Sequence, residues 1–264
     1  MRIRNAERHL AQAIDSVLNQ TFADFELLAV IGNSTDRSDE ILAGYDDPRI
    51  RIVRPGVPGI IPAARAGLEA ARGAYVAVLD ADDIAAPDRF AVQGALLDAD
   101  PGLVLVGSAI RIIDETGAAV GLRRYPTSDR AIRRDIVAYN VIAHSAAMYR
   151  REAARAAGGY IDDHVIEDYS LWFRLLRLGR AANVDRPLAS YRIRTHEPAK
   201  HVMLMIRETR AVRAAAFARY GYARTLRSRA ADLAFLALSL APPLAVNAAF
   251  RAAAFRNPQR TTCT

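Results

Sequence analysis

The feature that most constrains this chain is an apolar run that ends abruptly in a group of carboxylates. Residues 75–79 are apolar, and Asp80, Asp82 and Asp83 follow them directly. Such a run is typical of a buried strand in a parallel sheet, and open α/β sheets bind ligands where their strands end. Neighbouring carboxylates repel one another, and Mg²⁺ or Mn²⁺ carrying a diphosphate neutralises them. The run therefore predicts a metal and diphosphate site. The alternative interpretation is that Asp83 or Asp88 caps a helix after Pro87.

The regular alternation of predicted elements indicates an α/β protein. Along the first hundred residues, helical and strand patterns alternate in the order helix 6–19, strand 25–31, helix 38–45, strand 49–53, helix 62–71, strand 75–81 and helix 87–98. This alternation predicts a mostly parallel twisted sheet with helices on both faces. A further strand is expected at residues 103–113, with a hairpin turn at 114–117. Residues 123–196 form a less regular half, and a helical C-terminal appendage follows.

Length and cysteine usage indicate a globular protein without a disulfide framework. The 264 residues are 52% hydrophobic, which is enough to bury a full core. The single cysteine, Cys263, argues against a disulfide framework or a thiolate metal cluster, and it favours a reducing, cytoplasmic setting. The first residues lead into an amphipathic helical pattern, so no secretory signal peptide is expected.

Positive charge is concentrated in the C-terminal region. The chain carries a net charge of +7, and residues 201–264 hold ten arginines against Glu208 and Asp232. A cationic tail of this kind can meet anionic lipid, a lipid-linked phosphate or nucleic acid, whereas a solvated helical face fits equally well. We expect no nucleic-acid partner. Residues 231–250 are apolar, but Pro242 and Pro243 interrupt them, so we predict an interfacial helix or packed appendage rather than a span.

Several short motifs, taken in order, resemble the family 2 glycosyltransferases. The matching segments are residues 5–7 with 13–21, Ser34-Thr35-Asp36, residues 71–75, residues 79–83, Ala143-His144-Ser145, Gly158-Gly159-Tyr160, residues 167–172 and Tyr191-Arg192. The resemblance implies a GT-A fold and an inverting, metal-dependent enzyme that moves a sugar from a nucleotide-sugar donor to a saccharide or lipid-linked acceptor. It also implies a nucleotide-sugar-binding half at residues 1–122, an acceptor and catalytic half at 123–196, and an Arg-rich helical region at 197–264.

The resemblance also assigns roles to carboxylates. In this family an Asp-x-Asp motif binds the metal and the donor diphosphate, which points to Asp80 and Asp82, with Asp82 as the direct ligand and Asp83 behind it. A Glu-Asp pair supplies the base in inverting members, which points to Asp168 with Glu167 beside it. The alternative is that this pair only caps the helix that begins near Tyr169.

Histidines and arginines near these motifs are further candidates. His196 follows the Tyr-Arg pair and is a candidate metal or phosphate contact, although a surface histidine fits equally well. Arg194 stands where the family carries its histidine, and its guanidinium can contact a diphosphate. For His144 we favour a hydrogen-bonded core histidine over a catalytic role.

Three departures from the family pattern concern the donor side. Only four residues precede Asn5, so the first strand is expected to be essentially missing; the translation start then lies upstream, or the protein is a compromised fragment. The aspartates that read the nucleoside are replaced, which leaves Asn33 or Asp36 as substitutes. Arg65 stands in the place of a family asparagine and is a candidate diphosphate contact. These departures motivate the alternative of a catalytically inactive relative that acts as a binding or scaffold protein. A dehalogenase-type phosphatase is disfavoured because that family needs a downstream lysine followed by a Gly-Asp-rich metal motif, whereas Lys200 is followed by His-Val-Met-Leu.

Overall fold

The computed structural model describes residues 1–161, 166–193 and 199–241. Its strands are β1 (Arg2–Ile3), β2 (Leu27–Ile31), β3 (Ile50–Val53), β4 (Tyr75–Ala77), β5 (Ile84–Ala85), β6 (Leu103–Ile113), β7 (Ala119–Arg123), β8 (Met148–Arg150) and β9 (Arg180–Arg192). Its helices are α1 (Leu10–Leu18), α2 (Ser38–Ala43), α3 (Ile60–Ala70), α4 (Arg89–Ala99), α5 (Asp129–Ile136), α6 (Arg151–Ala156), α7 (Glu167–Leu175), α8 (Ala199–Arg219) and α9 (Leu226–Leu240).

The first three strands form a parallel sheet in the order β1, β2, β3. The expectation that the first strand is essentially missing is corrected here, because Arg2 and Ile3 pair with Val30 and Ile31 of β2. Ile3 is also buried, and its carbonyl accepts a hydrogen bond from the amide of Gly32 at 3.1 Å. Met1 also pairs with this edge of β2, because its carbonyl accepts a hydrogen bond from the amide of Val30 at 2.8 Å. The first three residues therefore provide partners for backbone groups of β2 that would otherwise lack them.

The second sheet is mixed rather than mostly parallel. Its order is β4, β8, β6, β9, β5, and β7 pairs with the far end of β6. Only β6 and β9 run parallel, whereas β8 runs antiparallel to both β4 and β6. The prediction of a mostly parallel sheet therefore holds for the first three strands alone. A parallel bridge between Arg2 and Asp80 joins the two sheets and brings the start of the chain to the carboxylate motif.

The largest core lies where α7 passes beneath the second sheet. Every residue of α7 is buried, and Trp172 at its centre has no exposed surface. The same cluster takes in Leu68 from the first half and Val212 from α8, so all three predicted segments contribute to one core. Burial of the whole helix fixes the position of its first turn, which begins at Glu167.

The C-terminal helices pack on this core. The Tyr222 hydroxyl donates to the carbonyl of Phe173 at 2.9 Å, and Arg213 is fully buried and donates to the carbonyl of Val137 at 2.8 Å. The predicted long helix after residue 197 is present as α8. Within the described residues, no helix is both long and apolar enough to cross a membrane.

Candidate functional site

The carboxylate motif lies in the turn that follows β4, at the edge where the two sheets meet. The amide of Asp80 donates to Ser145 Oγ at 3.1 Å, and the Ser145 hydroxyl donates back to Asp80 Oδ2 at 3.2 Å. Arg2 Nη2 donates to Asp80 Oδ1 at 2.8 Å. Burial opposes ionisation of Asp80, but Arg2, His144 and Ser145 outweigh it, so its pKa lies well below the ordinary value. Asp80 is therefore a fixed negative charge.

Arg2 connects this motif to the Glu167-Asp168 pair, which is predicted to supply the catalytic base. Its Nη1 donates to Oε1 of Glu167, and its Nη2 lies 2.9 Å from Nδ1 of His144. The side chain of Arg2 is 19% exposed and that of Glu167 is 6% exposed, so the pair is largely screened from water. One guanidinium thus joins Asp80, in the turn after β4, to Glu167, at the start of α7. Sequence reasoning missed Arg2, because its partners Asp80 and Glu167 lie 78 and 165 positions further along the chain and no local pattern marks it.

Asp168 follows Glu167 at the start of α7 and is almost fully buried. Asn140 Nδ2 donates to Asp168 Oδ2 at 2.9 Å. Burial raises the pKa of Asp168, and the adjacent charge of Glu167 raises it further, against opposing effects of His144 and Asn140. A carboxylate with a raised pKa and a fixed orientation can accept a proton from a hydroxyl, which is the role predicted for it.

Asp82 and Asp83 accept hydrogen bonds from the Tyr191-Arg192 segment at the end of β9. Arg192 Nε donates to the carbonyl of Asp82 and the amide of Arg192 donates to Asp83 Oδ1, both at 2.8 Å. Burial, together with the charges of Asp80 and Asp82, raises the pKa of Asp83 well above its ordinary value. Asp83 is thus a buried support for the turn and does not cap α4. Asp88 lies at that N-cap position but its carboxylate accepts from Arg186 at 2.7 Å.

The turn at Gly158 and Gly159 brings Tyr160 to the site. These glycines have φ values of 86° and 62°, which favour residues without a side chain. Tyr160 Oη lies 3.3 Å from Nε2 of His144, which therefore lies between Tyr160 and Arg2. His144 is a hydrogen-bonded, largely buried histidine, as expected, but it also belongs to the site.

The predicted donor-side residues lie on separate elements. Asn33 is exposed just after β2. Asp36 accepts from the amides of Glu7 at 2.9 Å and Ser38 at 3.1 Å, so it clamps the loop before α2. Arg65 Nε and Nη2 donate to the carbonyl of Tyr160 at 3.2 and 3.1 Å, which ties α3 to the Gly-Gly turn. Arg194 and His196 lie outside the described residues.

The described residues hold no preformed cluster of three or more side chains for a metal ion. Both oxygens of Asp80 already accept hydrogen bonds, one from Arg2 and one from Ser145, and the carboxylate of Asp82 follows two residues later in the same turn. Mg²⁺ and related ions at nucleotide sites are commonly held by one or two carboxylates plus substrate phosphates. This donor set fits that arrangement.

Comparison with known proteins identifies the family and the fold. A sequence model of the family described as Glycosyl transferase family 2 matches residues 1–158. The O-antigen biosynthesis glycosyltransferase WbnJ of Escherichia coli is 29% identical over 77% of this chain and 82% of WbnJ. The amylovoran biosynthesis glycosyltransferase AmsE of Erwinia amylovora is 30% identical over 63% of this chain and 69% of AmsE.

A solved structure confirms the predicted GT-A-type α/β fold. The mannosyltransferase PcManGT of Pyrobaculum calidifontis, in complex with GDP-Man and Mn²⁺, superposes with a TM-score of 0.64 at 17% identity. The match covers 95% of this chain and 82% of that protein. The family match spans more than half of the sequence and includes the Asp80 motif. This chain therefore belongs to glycosyl transferase family 2.

Proposed function

We propose that this chain is an inverting, metal-dependent glycosyltransferase that moves one sugar from a nucleotide-sugar donor to a saccharide or lipid-linked acceptor. The observation that carries the proposal is the guanidinium of Arg2, which contacts both Asp80 and Glu167. The motif proposed to bind the donor and the pair proposed to supply the base thus share one site. The roles of WbnJ in O-antigen synthesis and AmsE in amylovoran synthesis support a place in polysaccharide or glycoconjugate synthesis.

In the proposed reaction, Asp168 accepts the proton of the acceptor hydroxyl. Inversion requires this base to face the anomeric carbon from the side opposite the leaving nucleoside diphosphate. The raised pKa of Asp168 makes it a stronger base than an ordinary aspartate, and the hydrogen bond from Asn140 fixes its orientation. Glu167 stays paired with Arg2, so its charge is compensated and it supports the fold of the site.

On the donor side, Asp82 and Asp80 are the proposed metal ligands, and His196 is a further proposed ligand. When bound, Mn²⁺ or Mg²⁺ supplies positive charge beside the leaving diphosphate. The Mn²⁺ and GDP-Man in PcManGT support this assignment. The remaining proposed donor contacts are Asp80, Asn33, Asp36, Arg65 and Arg194.

A donor panel tests the proposal. The purified chain is incubated with UDP- and GDP-sugars and Mn²⁺ or Mg²⁺, and release of nucleoside diphosphate is followed. We expect turnover of at least one donor, loss of that turnover in Asp82→Asn, and retention of turnover in the exposed control Asp185→Asn. Full activity of Asp82→Asn would contradict the metal assignment.

Two observations support the second candidate, an inactive relative that binds a saccharide, nucleotide or partner protein. The segment after β2 carries Asn33 rather than a carboxylate, and both oxygens of Asp36 accept backbone hydrogen bonds. Calorimetry that detects nucleoside-diphosphate binding without turnover of any donor would favour this candidate.

The proposed place of action is the cytoplasmic side of a membrane, with the protein bound peripherally. The single cysteine and the excess of arginine in residues 201–264 support this assignment. Fractionation of expressing cells into cytosol, washed membranes and salt extract tests it. We expect the protein in the cytosol and the salt extract, and its retention on salt-washed membranes would contradict peripheral binding.

A further inference from the structure

Helix α9 is apolar on two opposite sides. Its inner side packs on α8, where Phe235 and Leu238 meet Val202 and Ile206. The capping box formed by Thr225 and Ser228 fixes where the helix begins. This inner contact accounts for the stability of the helix pair, so it does not explain the apolar residues on the other side.

The outer side of α9 presents leucines to the surface. Leu226, Leu233 and Leu236 are 85%, 69% and 44% exposed. Leu226, Ala230 and Leu233 follow one another at intervals of three to four residues, so they form one stripe along the helix, and Ala230 is exposed as well. We call Leu226, Ala230, Leu233 and Leu236 the outer stripe. Side chains of this kind at such exposure mark a surface that meets an apolar environment.

Arginines flank the outer stripe. Arg227 and Arg229 lie on either side of it in the first turn of α9, and both are exposed. Arg227 pairs with Asp135 at 3.0 Å and Arg224 pairs with Asp232 at 3.4 Å, yet both arginines remain more than half exposed. The first turn of α9 therefore carries positive charge beside the stripe, on Arg229 and on the partly exposed Arg227.

We propose that the outer stripe docks on an anionic lipid bilayer, with α9 lying in the plane of the interface. Apolar side chains enter the acyl boundary while neighbouring arginines meet lipid phosphates, which is how interfacial helices bind. Charge complementarity selects the anionic bilayer over a neutral one. The proposal rests on the peripheral membrane binding proposed above and names the surface that makes it, whereas it does not depend on the proposed transfer reaction.

Vesicle sedimentation of the full chain tests the proposal. We expect the protein to pellet with vesicles of phosphatidylcholine and phosphatidylglycerol and to stay in the supernatant with phosphatidylcholine alone. The double variant Leu226→Glu and Leu233→Glu should reduce the partition coefficient at least about tenfold. Arg229→Gln should reduce it about fivefold, and added salt should weaken binding of the wild type.

A matched control separates the stripe from overall charge. Leu96 in α4 and Val120 in β7 are 39% and 41% exposed, so their replacement by Glu adds the same two charges elsewhere. We expect this control to keep most of the binding. Circular dichroism melts of both double variants verify that each remains folded, because all four positions are exposed.

Three results would overturn the proposal. The first is a wild-type chain that does not pellet with anionic vesicles. The second is equal pelleting of the stripe variant and the wild type. The third is a stripe variant that binds vesicles as well as the wild type does but has a lower molar mass by light scattering. The stripe would then join two copies of this chain. None of these results bears on donor turnover, which is measured separately.

Discussion

Nη2 of Arg2 lies 2.8 Å from Oδ1 of Asp80, and the backbones of the same two residues form a parallel β-bridge. The contact is therefore made twice, once by side chains and once by main chains. Since Arg2 also holds Glu167, it fixes the distance between the two carboxylate groups. This geometry gives Arg2 a positioning role in the proposed site.

Replacement of Arg2 tests that role. We expect Arg2→Met to lower the free energy of unfolding by about 3 kcal/mol, because two shielded carboxylates lose their shared cation. Donor turnover should fall together with stability, measured by urea denaturation and by release of nucleoside diphosphate. Arg2→Lys should give intermediate values, since an ammonium cannot bond both partners through a planar fork. Arg4 is exposed, so Arg4→Met is the control. Unchanged turnover in Arg2→Met would contradict a positioning role.

Asp168→Asn isolates the proposed base. The substitution keeps the size of the side chain and one oxygen for Asn140, so we expect the fold and nucleotide binding to survive. The transfer rate should fall about 10²- to 10⁴-fold, the usual contribution of a general base. Steady-state kinetics and calorimetry with nucleoside diphosphate measure the two effects. A loss of nucleotide binding equal to the loss of rate would assign Asp168 to donor binding instead.

The raised pKa of Asp168 also predicts how the rate depends on pH. A general base acts only when it is deprotonated, so the rate should rise as pH increases through its pKa. Burial and the charge of Glu167 raise that pKa, which places the acid limb above the ordinary aspartate value of about 3.9. A rate profile from pH 4 to 9 in non-coordinating buffers measures it. An acid limb at or below the ordinary value would contradict the assignment.

Asp83 makes stability depend on pH in a defined direction. Its pKa is raised in the folded protein by burial and by Asp80 and Asp82. Between the ordinary and the raised value, the folded chain holds a proton that the unfolded chain has lost. The free energy of unfolding therefore falls as pH rises, by at most about 1.4 kcal/mol per pH unit.

Asp83→Asn should remove this dependence, because Asn cannot ionise and keeps an oxygen for the amide of Arg192. Urea denaturation at pH 5 and pH 8, with EDTA present, gives the difference between wild type and variant. We expect the variant to gain stability relative to wild type at the higher pH. A difference that does not change with pH would show that Asp83 titrates normally.

Metal binding should require the donor phosphates. Because the described residues contain no ready cluster of three or more ligands, Mn²⁺ alone is expected to bind weakly. Calorimetry should detect tighter binding of Mn²⁺ when UDP or GDP is present, and Asp82→Asn should abolish that increase. Asp185→Asn serves as the exposed control. Tight Mn²⁺ binding without nucleotide would contradict this dependence.

Much of the fold could be predicted from local patterns. The strand at residues 103–113 is β6, and its apolar content reflects burial between two neighbours. The carboxylate motif could be recognised because its acids directly follow an apolar run. The Glu-Asp pair could be recognised because it begins a helix rich in aromatic residues. The direction of β8 could not be predicted, since nothing local specifies whether a three-residue strand pairs parallel or antiparallel.

The contacts of Arg2 were also beyond sequence reasoning. Its partners lie far along the chain, and a two-residue strand has too few positions to show a period. His144 was assigned correctly to a hydrogen-bonded interior, but its contact with Tyr160 depends on the turn at Gly158 and Gly159, and its contact with Arg2 depends on β1. Long-range packing decides such details.

The separation of Arg2 and Glu167 by 165 positions has a consequence for biogenesis. A ribosome must synthesise α7 before the two ends of this ion pair can meet, so the proposed site cannot form until the second half of the chain has begun to emerge. Gentle denaturation that detaches only the opening segment would abolish turnover while most helical ellipticity remained. Enzymatic activity is thus a more sensitive gauge of correct assembly for this protein than any bulk spectroscopic signal.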